Sequence, residues 1–382
     1  MGTPMEGEAA AFDVNASVLK HIAMIKPWFP KRAFICTGEY PAKILLKGSF
    51  AARADEAILP IIVDRSSKEI VKWSGNGFEG KNVLGLDAEV DMHFWFEVIS
   101  YLAKNDAFMT RLKNTSVDKM HEAIIVCSIW EGLGSALLPT LISQFRAWNI
   151  DSAALAVLPS KVQPSDAQFN AFSSLGMFAS REFAPVLLVE RDCLEAYVGV
   201  GRKGSMIKGS AVLDYILELM LDKETFVQEI LELSRPFKAR MFTVLAATGA
   251  SLKIYGSLEN VLKTALVKPL SEFDLSTASL AYVLVRVPSK FRDKFTKGKI
   301  ELAVADWFEK KANLKSVYAS EPLCAEDTSD RIDVVMLVGG FDAAKAFASM
   351  EKGVRALKND AVEGGFIKEE EWQEIVKGLI KD

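Results

Sequence analysis

Residues 123–140, AIIVCSIWEGLGSALLPT, decide the fold that this sequence predicts. They open with a short apolar run at 123–127, partly β-branched, which is typical of a strand buried on both faces. A turn containing Gly132 and Gly134 follows, and apolar residues then recur at helical spacing. Strand, glycine turn and helix in this order bring backbone N–H groups up to a phosphate in α/β proteins. Taken alone, the two glycines also fit a purely structural role in a tight strand-to-helix turn.

Composition and charge exclude several classes of protein. The chain has 382 residues, 50% of them hydrophobic, which predicts a large core divided between two domains. A formal net charge of -4 gives no general attraction to nucleic acid. The N-terminal residues are polar and acidic, unlike a secretory signal, and no apolar run reaches the roughly 18 residues of a transmembrane helix. The sequence therefore predicts a cytoplasmic protein with no transmembrane segment and no nucleic-acid partner.

Metal and hydrolase motifs are missing from the sequence. The 3 histidines stand apart from one another, and the 4 cysteines form no CxxC pair. Ser135 lies outside any G-x-S-x-G pattern, and no G-x-x-x-x-G-K-[ST] loop occurs. We therefore predict no metal site and no catalytic nucleophile.

The first half alternates strands with helices. Strand-like runs occur at 32–37, 58–63, 82–86, 123–127, 152–158 and 186–190, with helical patterns at about 42–54 and 92–112. This order predicts a mostly parallel sheet covered on both faces. Ligands of such sheets bind at the carboxyl ends of the strands, where Gly38, Asp64 and Gly132 should gather.

The second half changes character. Residues 210–233 predict one long helix, or two joined near Asp222 and Lys223, and Pro236 then marks a break. We expect a short apolar helix at 241–248, strands at 278–287, 316–319 and 333–338, and a helix at about 299–311. This is an α+β module.

Two sheet-containing domains around a long central helix, with a glycine turn after the fourth strand, resemble the tubulin/FtsZ superfamily over residues 32–341. The most specific part is the family signature GGGTG[ST]G, which here reads WEGLGSA at 130–136. Gly132, Gly134 and Ser135 match the signature, and Pro139 matches the helix proline that follows it. Residues 331–342, RIDVVMLVGGFD, look like the end of an FtsZ-type C-terminal domain, and residues 155–178 look like the family's next strand, loop and helix.

The resemblance implies an α/β fold with a definite division of the chain. It implies a Rossmann-like, mostly parallel sheet domain over residues 1–208, a long central helix over 209–235, an α+β C-terminal domain over 236–342, and a helical tail over 343–382. It also implies GTP or GDP as the ligand, and a homo-oligomer or head-to-tail filament as the assembly. The cofactor-binding residues that it implies are Gly38, Gly132, Leu133, Gly134 and Ser135.

Departures from the family pattern weaken the nucleotide site. Trp130 adds bulk, Glu131 brings negative charge towards a polyphosphate, and Leu133 removes a hydroxyl. Pro41 removes a backbone N–H donor from the turn after the first strand. Lys43 could compensate in part, although a surface lysine is the simpler interpretation.

The loop that carries the family's catalytic acids is also altered. It corresponds to residues 233–241 here, where Pro236 and Ala239 stand in the positions of the acids. Arg235, Lys238 and Arg240 make the loop basic, and a basic loop cannot act as a general base at neutral pH. Glu229 and Glu232 on the preceding helix are expected to face solvent. We therefore assign no catalytic residue and expect at most a weak GTPase.

Amphipathic patterns lie at both ends of the chain. Residues 343–357 and 368–380 predict helices that either pack back on the C-terminal domain, as tubulin's last helices do, or dock a protein partner. Residues 12–28 predict a further helix that caps the sheet.

Three hypotheses about function remain open. The first is a divergent tubulin/FtsZ-like cytoskeletal or cell-division-related protein that assembles head-to-tail, with weak or lost GTP hydrolysis. The second is a superfamily pseudoenzyme without nucleotide that acts as an adaptor. The third is an unrelated α/β enzyme with a dinucleotide cofactor, which is weakened because no G-x-G-x-x-G follows the first strand.

Overall fold

The computed structural model of the chain describes residues 32–45, 58–66, 83–88, 91–116, 120–181, 184–201, 204–265, 269–309, 313–326 and 329–380. The predicted N-terminal helix at 12–28 lies outside the described residues. No described helix combines the length and the apolar character needed to cross a membrane.

One large mixed sheet runs through the described part of the chain. Its strands are β1 (Arg32–Thr37), β2 (Ile58–Asp64), β3 (Val83–Gly85), β4 (Glu122–Ser128), β5 (Asp151–Leu158), β6 (Val186–Glu190), β9 (Met241–Ser251), β10 (Leu280–Pro288), β11 (Ser316–Ala319), β12 (Leu323–Ala325) and β13 (Arg331–Gly339). The order is β11-β10-β13-β9-β6-β5-β4-β1-β2-β3, with β12 also on β10. A separate hairpin joins β7 (Val198–Val200) to β8 (Met206–Lys208).

The strands from β3 to β9 are all parallel along this order, whereas β13 is antiparallel to both of its neighbours. The predicted parallel sheet of the first half is therefore confirmed. The sheet continues without interruption into the second half, because β9 pairs with β6 through Val186 and Met241. The predicted domain boundaries stay a prediction.

The helices are α1 (Glu39–Leu45), α2 (Trp95–Lys104), α3 (Ala107–Ser116), α4 (Gly132–Ala147), α5 (Ser165–Arg181), α6 (Arg191–Ala196), α7 (Ala211–Asp222), α8 (Phe226–Phe237), α9 (Leu252–Tyr255), α10 (Leu258–Ala265), α11 (Lys297–Phe308), α12 (Ala343–Glu363) and α13 (Glu369–Ile380). The central segment is thus two helices, α7 and α8, broken between Asp222 and Phe226. The predicted helix at 92–112 is also two helices, α2 and α3.

The predicted short helix at 241–248 is wrong, because this segment is the strand β9. Every residue of β9 is buried, since the strand lies in the middle of the sheet between β6 and β13. A continuous apolar run has neither a period of two nor a period of 3.6, so hydrophobicity alone cannot distinguish a buried strand from a buried helix.

Helices cover both faces of the sheet and make it a buried layer. One core cluster joins alternate residues of β1, β4 and β5 to α2, α4 and α5, and it includes Ala33, Ile35 and Ile125. The residues between them, such as Phe34 and Val126, belong to a second cluster with α7 and α8. Because side chains alternate along a strand, this division follows from the sheet geometry.

The two C-terminal helices pack on α5 and not on the second half of the sheet. Trp372 stacks on Phe169 with ring centres 5.7 Å apart and also contacts Phe172. Trp372, Ile375 and Leu379 belong to the same core cluster as α4 and α5. The expectation that these helices fold back is confirmed. They pack on α5, and α12 also contacts the predicted C-terminal domain, where Phe347 packs on Phe273 and Lys345 pairs with Asp274. The apolar face of α13 is covered, so that face does not dock a partner in this arrangement.

A buried ionic network ties the central helix α7 to the second half of the sheet. Arg286 on β10 donates from Nε to Asp333 Oδ2 at 2.7 Å, and from Nη1 to Glu218 and Asp222 on α7 at 3.0 and 2.5 Å. The Tyr215 hydroxyl on α7 donates to Asp333 Oδ1 at 2.7 Å. Since Asp333 is fully buried, its charge depends on these partners.

Candidate functional site

The carboxyl ends of β1, β2, β4 and β6 meet at one edge of the sheet, as the sequence predicts. Gly38 follows β1 with a φ of +93°, a conformation that favours glycine. A Cβ atom at Gly38 would overlap the Ser128 hydroxyl oxygen and lie 3.3 Å from Glu131 Oε2. The turn after β1 therefore lies directly against the turn after β4.

The Glu131 carboxyl group occupies the space between these two turns. Its Oε2 atom accepts the backbone N–H of Glu39 at 3.4 Å, and its Oε1 atom accepts the Ser128 hydroxyl at 3.3 Å. Burial and, to a smaller extent, the charge of nearby Asp64 raise the pKa of Glu131 to about 7, against the opposing effect of Arg65. A carboxyl group of the chain itself thus receives the backbone donor that an anionic ligand would use.

Gly132 and Gly134 serve close backbone contacts in the first turn of α4. A Cβ atom at Gly132 would lie 2.8 Å from the carbonyl oxygens of Met92 and His93. A Cβ atom at Gly134 would overlap the carbonyl oxygen of Ser128. Both glycines therefore have a packing reason to be glycine, whether or not a ligand binds.

Leu133 and Ser135 are buried and turned towards the protein. Leu133 is 1% exposed and belongs to the core cluster that contains α4. The Ser135 hydroxyl donates within its own turn, to the carbonyl oxygens of Ile129 at 3.0 Å and of Glu131. The structure therefore brings together Gly38, Gly132, Gly134 and Ser135, but it directs the serine hydroxyl inwards.

An aromatic and cationic cluster lies beside this turn and was not anticipated from the sequence. The Arg191 guanidinium carbon lies 5.1 Å from the ring centre of Tyr40 and 5.0 Å from that of Trp130. The two rings meet edge to face at 5.2 Å. Arg191 also donates to Glu195 at 2.8 Å, so its charge is partly neutralised. Trp130 therefore packs against Tyr40, which follows β1, and Arg191, which follows β6.

Asn170 on α5 fixes the loops around the site. Its side-chain amide donates to the carbonyl oxygens of His93 at 3.0 Å and Trp130 at 3.2 Å, and its Oδ1 atom accepts the N–H of Trp95 at 3.1 Å. His93 in turn contacts the Asp166 carboxyl group. Asn170 is buried, and a buried polar side chain needs hydrogen-bond partners such as these. The sequence does not show this burial, so the role was not predicted.

The basic segment at 233–241 lies at the opposite edge of the sheet. The loop is shorter than predicted, because α8 continues through Pro236 to Phe237 and residues 238–240 form the turn. This turn leads into β9, whose amino end pairs with the amino end of β6. Arg235 contacts Asp151 at 3.5 Å. The expectation that Glu229 faces solvent is wrong, because it is buried and accepts the Tyr282 hydroxyl at 2.9 Å and the Thr225 hydroxyl at 2.7 Å. Glu232 is exposed, as expected.

The arrangement does not fit a polyphosphate as it stands. A phosphate between the two turns would have to displace the Glu131 carboxylate or meet it at close range, together with Asp64. Among the described residues, no group of three or more His, Cys, Asp and Glu side chains could hold a metal ion to offset this charge. The site is therefore closed by a carboxyl group of the chain itself.

No protein-family model and no curated protein sequence matches this chain. Solved structures match it over most of its length. CetZ from Methanosaeta thermophila strain DSM 6194 is 15% identical with a TM-score of 0.66, over 90% of this chain and 95% of that one. CetZ2 from Haloferax volcanii, solved as a GTPγS-bound protofilament, is 18% identical with a TM-score of 0.62, over 87% and 99%.

An FtsZ structure from M. jannaschii is 12% identical with a TM-score of 0.58, over 85% of this chain and 95% of that one. At these sequence identities, the similarity is one of backbone fold. The large, mostly parallel sheet of this chain and its many helices match that fold. The chain has the fold of the tubulin/FtsZ superfamily.

Proposed function

We propose that this protein is a tubulin/FtsZ-fold assembly protein that works without bound GTP and without GTP hydrolysis. The observation that carries the proposal is the Glu131 carboxyl group, which accepts the Glu39 N–H between the two turns. In this proposal the protein has lost its nucleotide, as in the second hypothesis, but assembles head-to-tail, as in the first. A cytoplasmic location remains a prediction of the sequence.

Glu131 explains how the turns could keep their shape without nucleotide. In a nucleotide-binding protein, phosphate oxygens accept backbone N–H groups and hold such loops together. Here the Glu39 N–H donates to an oxygen of the Glu131 side chain. Because this oxygen belongs to the chain itself, the contact does not cost the translational freedom of a ligand. The Tyr40, Trp130 and Arg191 cluster adds a second set of contacts across the same loops.

Charge at the two edges of the sheet favours head-to-tail assembly. Among the described residues, acidic side chains outnumber basic ones at the carboxyl edge, and they include Glu39, Asp64, Glu131, Asp192 and Glu195. The amino edge carries the basic residues Arg146, Arg235, Lys238, Arg240 and Lys315. Opposite charges on opposite ends of one molecule complement each other when copies stack in one direction.

The first experiment is to denature the purified protein and identify released nucleotide by chromatography. We expect none, because the Glu131 carboxyl group occupies the space between the two turns. The variant Glu131→Gly restores a small residue at the second signature position, so it should retain GTP or GDP through purification. Glu122→Gln, which removes a carboxyl group at the other end of β4, is the matched control and should retain no nucleotide.

Near-stoichiometric GTP or GDP in the wild-type protein would contradict the proposal and favour the first hypothesis, a GTP-binding filament protein. That alternative has one observation in its favour, since the similar CetZ2 structure is bound to GTPγS. Sedimentation then tests assembly. We expect polymers whose amount falls with added salt and does not change with added GTP. Polymers that require GTP would contradict the nucleotide-free proposal.

A further inference from the structure

A cavity of about 830 Å³ opens at the amino edge of the sheet, away from the turns around Glu131. Its walls come from separate parts of the chain. They are the end of α5, the α8–β9 turn, the start of β10, the β13–α12 turn and the outer part of α13. This volume lies within the range of roughly 300–1,000 Å³ that small-molecule sites occupy.

Cationic side chains outnumber anionic ones around the cavity. The cations are Lys238 and Arg240 from the α8–β9 turn, Lys315 from the segment before β11, and Lys377 from α13. Within the described part of the chain, no ion pair involves Lys238, Arg240 or Lys315.

The two acidic residues of the lining neutralise little of this charge. Asp342 caps α12, where its carboxylate accepts the N–H of Lys345 at 3.0 Å. Glu374 lies 3.8 Å from Lys377 Nζ on an exposed helix face. The four cations come from three separate elements, the α8–β9 turn, the segment before β11 and α13. Arg and Lys side chains form charge-assisted hydrogen bonds with an anion that has several oxygen atoms.

The frame of the cavity is fixed by backbone hydrogen bonds. The N–H of Val186 donates to Arg240 O at 2.9 Å, which fixes the turn that carries Arg240. The N–H of Lys315 donates to Ser279 O at 2.6 Å, and the N–H of Ser279 donates to Gly339 O at 3.0 Å. The cations therefore extend from positions that are already ordered, which lowers the cost of binding.

Apolar side chains line the rest of the cavity. Phe237 at the end of α8 is 41% exposed, whereas Met241, Phe341 and Leu379 are buried residues of the wall. A bare inorganic anion would leave the exposed part of Phe237 in contact with water. A ligand with an apolar or aromatic body attached to the anion would cover it.

We propose that this cavity binds an organic phosphate, with the phosphate among Lys238, Arg240, Lys315 and Lys377 and the organic body against Phe237 and Phe341. A phosphate group carries close to two negative charges and pairs with Arg and Lys through charge-assisted hydrogen bonds. The site is distinct from the turns around Glu131, although Lys238, Arg240 and Lys315 also belong to the basic amino edge through which head-to-tail assembly is proposed.

The test is isothermal titration calorimetry on the full chain with ATP, pyrophosphate and adenosine as probes. We expect ATP to bind more tightly than pyrophosphate and adenosine not to bind. The double variant Lys315→Ala/Lys377→Ala should weaken ATP binding at least about tenfold, because it removes half of the cations. The control Lys299→Ala/Lys352→Ala changes the net charge equally at exposed sites outside the cavity and should leave affinity unchanged.

The proposal is overturned if no ATP binding is detected up to about 1 mM, or if the cavity variant binds ATP as the wild type does. Equal affinity for ATP and pyrophosphate would overturn the assignment of an organic ligand. The Glu131→Gly variant separates the two sites, since it should leave ATP binding at the cavity unchanged. GTP binding that appears only in Glu131→Gly, together with no binding at the cavity, would sink this inference and leave the proposed function standing.

Discussion

Replacing Glu131 by Gln should make the stability of the protein less dependent on pH. Burial raises the pKa of Glu131 from its ordinary 4.5 to about 7 in the folded protein. Between these two values the folded chain keeps a proton that the unfolded chain has lost. The free energy of unfolding therefore falls as pH rises through this window, and the stabilising effect of the proton is complete only below about pH 4.5.

The size of the effect follows from the difference between the two pKa values. Each unit of difference between the two pKa values changes the free energy of unfolding by about 1.4 kcal/mol. The whole effect is therefore at most roughly 3 kcal/mol, and the partial exposure of Glu131 lowers it. The Glu131→Gln variant has no charge to bury. We expect it to match the wild type near about pH 4.5 and to exceed its stability by up to that amount at about pH 8.5.

Urea unfolding at several pH values, followed by tryptophan fluorescence, measures this difference. Glu122→Gln is the comparison variant, because burial also raises the pKa of Glu122 to about 7 although it lies at the other end of β4. Each variant should lose part of the pH dependence. If Glu131→Gln and the wild type show the same change of unfolding free energy between these pH values, the carboxyl group is not buried between the turns as described.

Two further substitutions test packing and charge in the rest of the molecule. Gly378→Ala places a Cβ atom against the backbone of α5, so it should cost about 1–3 kcal/mol of unfolding free energy, whereas Gly353→Ala on the exposed side of α12 meets no atom within 4 Å and should add about 0.5–1 kcal/mol. Arg286→Ala removes the guanidinium group beside the fully buried carboxylate of Asp333 and should cost about 3–5 kcal/mol, while Arg292→Ala at an exposed position should change stability by less than about 0.5 kcal/mol. Urea unfolding measures both pairs, and equal values within either pair would contradict the contacts described.

Much of the fold could be predicted because its strands are short apolar runs separated by glycine turns. The apolar run at 123–127 and the glycine turn after it correctly predicted β4 and the carboxyl edge of the sheet. In the structure, Gly38 lies against the turn after β4 at this edge. The segment that became β9 was misassigned, since its eleven residues are buried throughout and have no periodic pattern. Pairing of β9 with β6 depends on tertiary contacts that one sequence does not display.

The sequence predicted where the candidate site lies, but it predicted few of the contacts that its side chains make. The sequence identified Glu131 as an unfavourable neighbour for phosphate, but it could not show that the side chain turns inwards to the Glu39 N–H. Arg191 and Asn170 were missed, because their roles come from contacts with residues distant in sequence. Ser135 matched a signature, yet its hydroxyl satisfies its own helix turn.

The packing of the C-terminal helices on α5 has a consequence for the order of folding. Trp372, Ile375 and Leu379 complete the core around α4 and α5, although roughly two hundred residues of chain separate the two parts. During synthesis, α5 therefore emerges from the ribosome long before the residues that cover it. Its aromatic side chains, Phe169 and Phe172, lack their cover by Trp372 until the C-terminal helices have been made, and apolar surface exposed in this way promotes aggregation.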